Sequence, residues 1–78
     1  MSEMDILEQG LIERGIPYDR HPLYSGEQID TEDWDAICHE YSYGGCDGLL
    51  EIMGSIVTGG DTVEGYLTAE EILARLPR

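Results

Sequence analysis

Lysine and phenylalanine are both absent from this chain. The whole basic complement is Arg14, Arg20, Arg75 and Arg78, set against seventeen acidic residues, for a formal net charge of −13 at pH 7. DNA, RNA and anionic membranes all present negative charge, so this balance argues against direct binding to any of them. A partner met through such a surface is expected to be basic, or a cation. Without phenylalanine, and with one Trp (Trp34) and five Tyr, the core must be aliphatic with help from tyrosine. No apolar run approaches the roughly 20 residues needed to span a bilayer. Met1-Ser2-Glu3-Met4-Asp5 shows no basic region leading into an apolar run, so a signal peptide is not expected. These readings together predict a cytoplasmic protein. In that compartment the two cysteines, Cys38 and Cys46, are expected to be reduced thiols, although their spacing also permits a disulfide.

Chemical motifs are equally sparse. There is no glycine-rich phosphate loop followed by lysine. Cys38, His39 and Cys46, with His21 upstream, lack the close Cys-x-x-Cys pair of structural zinc sites. Cys46, next to Gly45, could have a depressed pKa ahead of a helix start, but nothing in the sequence brings His21 or His39 to it as a base. No catalytic residue, cofactor or metal ligand is therefore assigned, and an enzyme is not expected. Residues Gly60 to Glu71 resemble the second half of an EF-hand calcium loop, with Gly65, Leu67 and Glu71 in the places of the turn glycine, the aliphatic residue and the bidentate glutamate. The leading aspartate is replaced by Gly60. The same residues also spell a turn and a capped helix.

What is present is enough apolar residue, 41% of 78, to make acidic disorder a poor description. That length suits one small domain covering 1–78, burying only about 60% of the surface of its unfolded chain. Ser2 is placed to cap a first helix, Met4, Leu7 and Leu11, with Ile12 as an option, form its stripe, and Gly15 with Pro17 ends it. Residues 16–29 read as an extended connection in which Tyr18, Leu23, Tyr24 and Ile29 pin the chain across the core. Trp34, Ile37, Cys38 and Tyr41 recur at helical spacing and predict a second helix from Asp30 or Thr31 to Tyr41. Leu49 to Val57 predict a central third helix over 47–58. Thr68 and Glu71 form a capping box for a last helix, with Leu67 and Ile72 as a hydrophobic staple. The expected fold class is thus mainly α: three to four short helices with, as an option, a short two-stranded β element.

The acids are not evenly spread. Glu27, Asp30, Glu32, Asp33, Asp35 and Glu40 fall within fourteen residues, with no lysine interleaved. On the expected second helix Glu32, Asp33, Asp35 and Glu40 would line the face opposite Trp34 and Ile37. Rows of carboxylates on a rigid element can take the place of phosphates and accept charge-assisted hydrogen bonds from Lys and Arg. Tyr18, Tyr24 and Tyr43 would supply anchors nearby. In size, acidity and lack of lysine the chain resembles the small phage-encoded inhibitors that mimic DNA, anti-CRISPR proteins among them. The resemblance implies a non-enzymatic inhibitor, and a partner that is a basic nucleic-acid-binding protein or complex such as a CRISPR effector. Two other readings compete: a degenerate EF-hand-like calcium module, and a general interaction subunit, in one form a homodimer, that uses a tyrosine-rich surface.

Overall fold

The computed structural model describes residues 2–42, 44–54 and 65–76. Helix α1, Glu3–Arg14, starts as its sequence dictates. Asp5 N–H donates to Ser2 Oγ and Ser2 N–H donates to Asp5 Oδ2, each at 3.2 Å, which satisfies two otherwise orphaned donors. It ends in a Schellman arrangement: Gly15 takes φ 66°, its N–H reaches Ile12 O, and Ile16 N–H reaches Leu11 O at 3.0 Å. Met4, Leu7, Gly10 and Leu11 are buried. Gly10 weakens a helix in isolation, but a Cβ there would overlap the Leu73 side chain of the last helix, α2 (Ala69–Arg75). A second capping box, Thr68 with Glu71, opens α2.

Between the helices the chain is a sheet. Strands β1 (Asp19–Leu23), β2 (Gly26–Asp30), β3 (Trp34–His39), β4 (Leu50–Gly54) and β5 (Gly65–Leu67) form one antiparallel sheet in sequential order. The mainly helical expectation is overturned by these five strands. The predicted second helix is instead the end of β2, a tight turn and β3. The predicted third helix is a short 3-10 turn at Gly45–Asp47 followed by β4, with its remaining positions, 55–58, outside the described residues. The extended stretch 16–29 holds β1, a turn and most of β2. Pro22 falls in β1, at the sheet edge, where a missing N–H costs no ladder bond. Ile29 is buried as expected, but Leu23 and Tyr24 are exposed and do not pin the core. Thr62-Val63-Glu64, whose sequence reads as a short extended piece, lies outside the described residues.

The physical reason for the error lies in the period. Trp34, Ala36 and Cys38 are buried while Asp35, Ile37 and His39 alternate to the other face, a period of two that coexists with the helical spacing of Trp34, Ile37, Cys38 and Tyr41. Tyr41, needed by the helical stripe, is 82% exposed. Ile29, Trp34, Ala36, Cys38, Leu50 and Ile52 form one buried cluster with Met4, Leu7, Leu11, Ala69, Ile72 and Leu76. Both helices therefore cover the same face of the sheet, and among the described residues the other face carries no helix. The cysteines differ from expectation too. Cys38, buried in β3, forms a disulfide with Cys46 in the 3-10 turn, across a Cα separation of 5.3 Å. Among the described residues no helix is long and apolar enough to cross a membrane.

Candidate functional site

The acidic segment folds as the β2–β3 hairpin. Thr31 N–H donates to Trp34 O at 2.8 Å, Thr31 Oγ1 donates to the same carbonyl, and Trp34 N–H donates to Thr31 Oγ1 at 3.1 Å. Those bonds close the turn and leave Glu32 and Asp33 exposed at its tip. Immediately behind the tip, Asp30 and Asp35 are cross-strand partners, and on the other side Asp30 is partnered by Asp19 of β1. Three adjacent strands thus each place an aspartate in one row on the helix-free face. Neighbouring Cβ atoms in such a row are about 5 Å apart, and like charges directly opposite are destabilising.

A small polar network tempers this repulsion without neutralising it. Gln28, one pleat along β2, donates its side-chain amide to Asp30 Oδ1 and to Asp35 Oδ2, both at 2.9 Å. Its Oε1 lies 3.1 Å from His21 Nε2, which is itself 3.5 Å from Asp30 Oδ2. Further across the same face His39 Nε2 meets Glu51 Oε1 at 3.1 Å, and Tyr66 OH reaches Glu51 Oε2 at 3.4 Å. No arginine of the described residues touches Asp30, Glu32, Asp33 or Asp35. Arg14 and Arg75 each donate to a carbonyl of their own helix, Gly10 O and Glu71 O.

Arg20 is committed elsewhere. It points to the helix side of β1, where Nε meets Glu27 Oε2 at 2.6 Å and Nη1 meets Asp5 Oδ1 at 3.0 Å and Glu8 Oε1 at 3.1 Å. Glu27, then Asp5, hold its guanidinium in the charged form more firmly than usual. In return the Arg20 hydrogen bond, followed by those from Ser2, keeps the Asp5 carboxyl below its ordinary range. Tyr18 OH donates to Glu8 Oε2 at 3.0 Å, and this bond raises the phenol above its usual value.

The six acids nominated by sequence therefore separate. Asp30, Glu32, Asp33 and Asp35 come together at one end of the hairpin. Glu27 lies on the opposite face inside the Arg20 clamp, and Glu40 lies beyond the far end of β3, its N–H bonded to Ser25 O. They line a strand face and a turn, not a helix. Sequence reasoning missed Asp19, His21, Gln28, Glu51 and Tyr66. Alternation along Asp19–Leu23 and Gly26–Asp30 is the signal that would have found the first three. Of the expected tyrosine anchors, Tyr18 is held by Glu8, Tyr24 is fully exposed in the β1–β2 turn, and Tyr43 lies outside the described residues.

The EF-hand resemblance meets a different geometry. Gly65–Leu67 is a strand, Leu50–Gly54 is a strand where the entering helix would run, and Gly60–Glu64 lies outside the described residues. Glu71 Oε1 accepts from Thr68 N–H and from Thr68 Oγ1, both at 3.0 Å, and these bonds lower its pKa. Among the described residues no group of three or more His, Cys, Asp or Glu is placed to hold a metal ion. Cys46, bonded to Cys38, offers no thiol nucleophile. No family model matches the sequence, and comparison with curated proteins and with solved structures gives no match.

Proposed function

We propose that this protein is a non-enzymatic acidic inhibitor that enters the basic nucleic-acid channel of a protein partner, with Asp30, Glu32, Asp33 and Asp35 standing in for phosphates. One observation carries this reading: the carboxylate row Asp19–Asp30–Asp35 and the tip pair Glu32–Asp33 sit on paired strands, no arginine among the described residues pairs with them, and the one imidazole near them, His21, lies 3.5 Å from Asp30 alone. The protein's best-engaged arginine is on the other side of the sheet. A fold selected for stability alone would place it, or a lysine, within the row, because like charges in register cost stability. A partner rich in Lys and Arg recovers that energy as charge-assisted hydrogen bonds to preorganised carboxylates.

A CRISPR effector or another nucleic-acid-handling complex fits as partner, and the cytoplasm as the place of action. Residence in a reducing compartment is compatible with the Cys38–Cys46 bond if exchange is slow, and full burial of Cys38 restricts the access that exchange requires. Displacement of a fluorescent DNA duplex from a guide-loaded CRISPR effector of the same host provides the test. Added protein should release the duplex, and Glu32→Ala, Asp33→Ala and Asp35→Ala together should weaken release at least tenfold while leaving the circular dichroism spectrum unchanged. Release unaffected by the triple substitution would refute the assignment.

A further inference from the structure

Trp34 begins β3 on the helix-covered face, at the end where both helices run out. The chain leaving α1 passes over it as Ile16-Pro17, and α2 reaches it with Leu76. These four residues and the turn residues Glu32 and Asp33 line a cavity of about 250 Å³. Its walls are apolar, and Trp34 and Leu76 are only 5% and 6% exposed. Its rim is anionic: Glu32 and Asp33 are exposed, and neither carboxylate has an ion-pair or hydrogen-bond partner among the described residues.

The cavity falls below the roughly 300–1,000 Å³ of sites that enclose drug-sized ligands. It matches a single side chain. An aliphatic one would strand two carboxylates at the mouth, and a hard cation would find too few converging oxygens. The complementary shape has an apolar stem and a cationic head. Arginine fits better than lysine, because a guanidinium forks between carboxylates, whereas an ammonium is a more strongly hydrated point charge. We propose that this cavity receives one arginine side chain of the basic partner, its stem against Ile16, Pro17, Trp34 and Leu76 and its guanidinium on Glu32 and Asp33. The proposal rests on the inhibitor reading for the partner's identity. It adds a socket that fixes register where the carboxylate row supplies only attraction.

The test needs no nucleic-acid-binding protein. Acetyl-Gly-Gly-Arg-Gly-Gly-amide is titrated into the full chain and followed by nitrogen–proton NMR, alongside peptides with lysine or the neutral isostere citrulline at the central position. The arginine peptide should move the Trp34 indole, Ile16 and Leu76 resonances, with lysine several-fold weaker and citrulline at least tenfold weaker. Glu32→Gln with Asp33→Asn, both at exposed positions, should weaken the arginine peptide at least tenfold without altering the fold. Equal binding of citrulline, indifference to the double substitution, or shifts confined to Asp30 and Asp35 would overturn the assignment. Affinity that rises several-fold in Arg78→Ala would also overturn it, by giving the cavity to the chain's own terminal arginine. The two readings fail separately. Arginine-peptide binding without duplex release sinks only the inhibitor, and duplex release with no peptide response sinks only the socket.

Discussion

Arg20 shows how a single residue divides the surface. By gathering Asp5, Glu8 and Glu27 on the helix side it ties α1 to β1 and β2, and among the described residues it leaves the other face with no arginine. Arg20→Met would leave three carboxylates converging around an apolar chain. The side chain is 22% exposed, so the loss lies between that of surface and buried pairs, about 1–3 kcal/mol. Urea denaturation should show it, and Arg20→Lys should recover little, because an ammonium cannot fork among three carboxylates. The caps make a prediction about acid. Asp5 and Glu71 both titrate below their ordinary values of 3.8 and 4.5, each through hydrogen bonds made only in the folded state. A depressed folded pKa gives stability that is full above the unfolded pKa and lost as pH falls through the folded one. Melting temperature should therefore fall from about pH 4.5 downward. Asp5→Asn with Glu71→Gln should start lower at pH 7 and decline less steeply over that window.

At the scale of elements, the β2–β3 turn depends on Thr31. Thr31→Val removes a hydroxyl that both accepts from Trp34 N–H and donates to Trp34 O, so it should lower stability by about 1–2 kcal/mol, measured by chemical denaturation. The same residue explains what could be read from the sequence and what could not. A hydroxyl that accepts the N–H three residues on is the bond of a helix N-cap, and here it closes a hairpin. The signature is local and does not say which way the chain goes next. Both true caps, at Ser2 and Thr68, were legible because a capping box and the following stripe are complete within one short segment. The sheet was not, because β3 is defined by pairing with β2 and β4, and no single-strand pattern records that. Ile37 tipped the balance towards a helix: an apolar side chain on the open face filled the helical spacing between Trp34 and Cys38. The concentration of acid was legible. Its geometry was not, since Glu27 and Asp30 share a segment yet face opposite sides of a sheet.

Across the whole molecule, net charge and the disulfide act in opposite directions. A charge of −13 favours expansion, and the Cys38–Cys46 link, closing a separation of eight residues, limits it in the unfolded chain. Reduction, or Cys38→Ala with Cys46→Ala, should lower stability by about 2–3 kcal/mol with the sheet retained. Added salt should raise the melting temperature by screening self-repulsion over about 10 Å at 0.1 M. Salt should also weaken partner binding, so stability and affinity would move in opposite directions along one titration.

The central claim concerns where the charge sits rather than how much there is, and a pair of isoelectric variants tests it most directly. One carries Asp30→Asn, Glu32→Gln, Asp33→Asn and Asp35→Asn. The other removes four charges elsewhere, through Glu13→Gln, Glu40→Gln, Asp47→Asn and Glu70→Gln, all at exposed positions. Duplex release from the effector is measured for both across a salt series. The hairpin variant should lose release and flatten the salt dependence, while the second stays close to the unmodified protein. Equal losses in both would mean that total charge alone acts, contradicting the site.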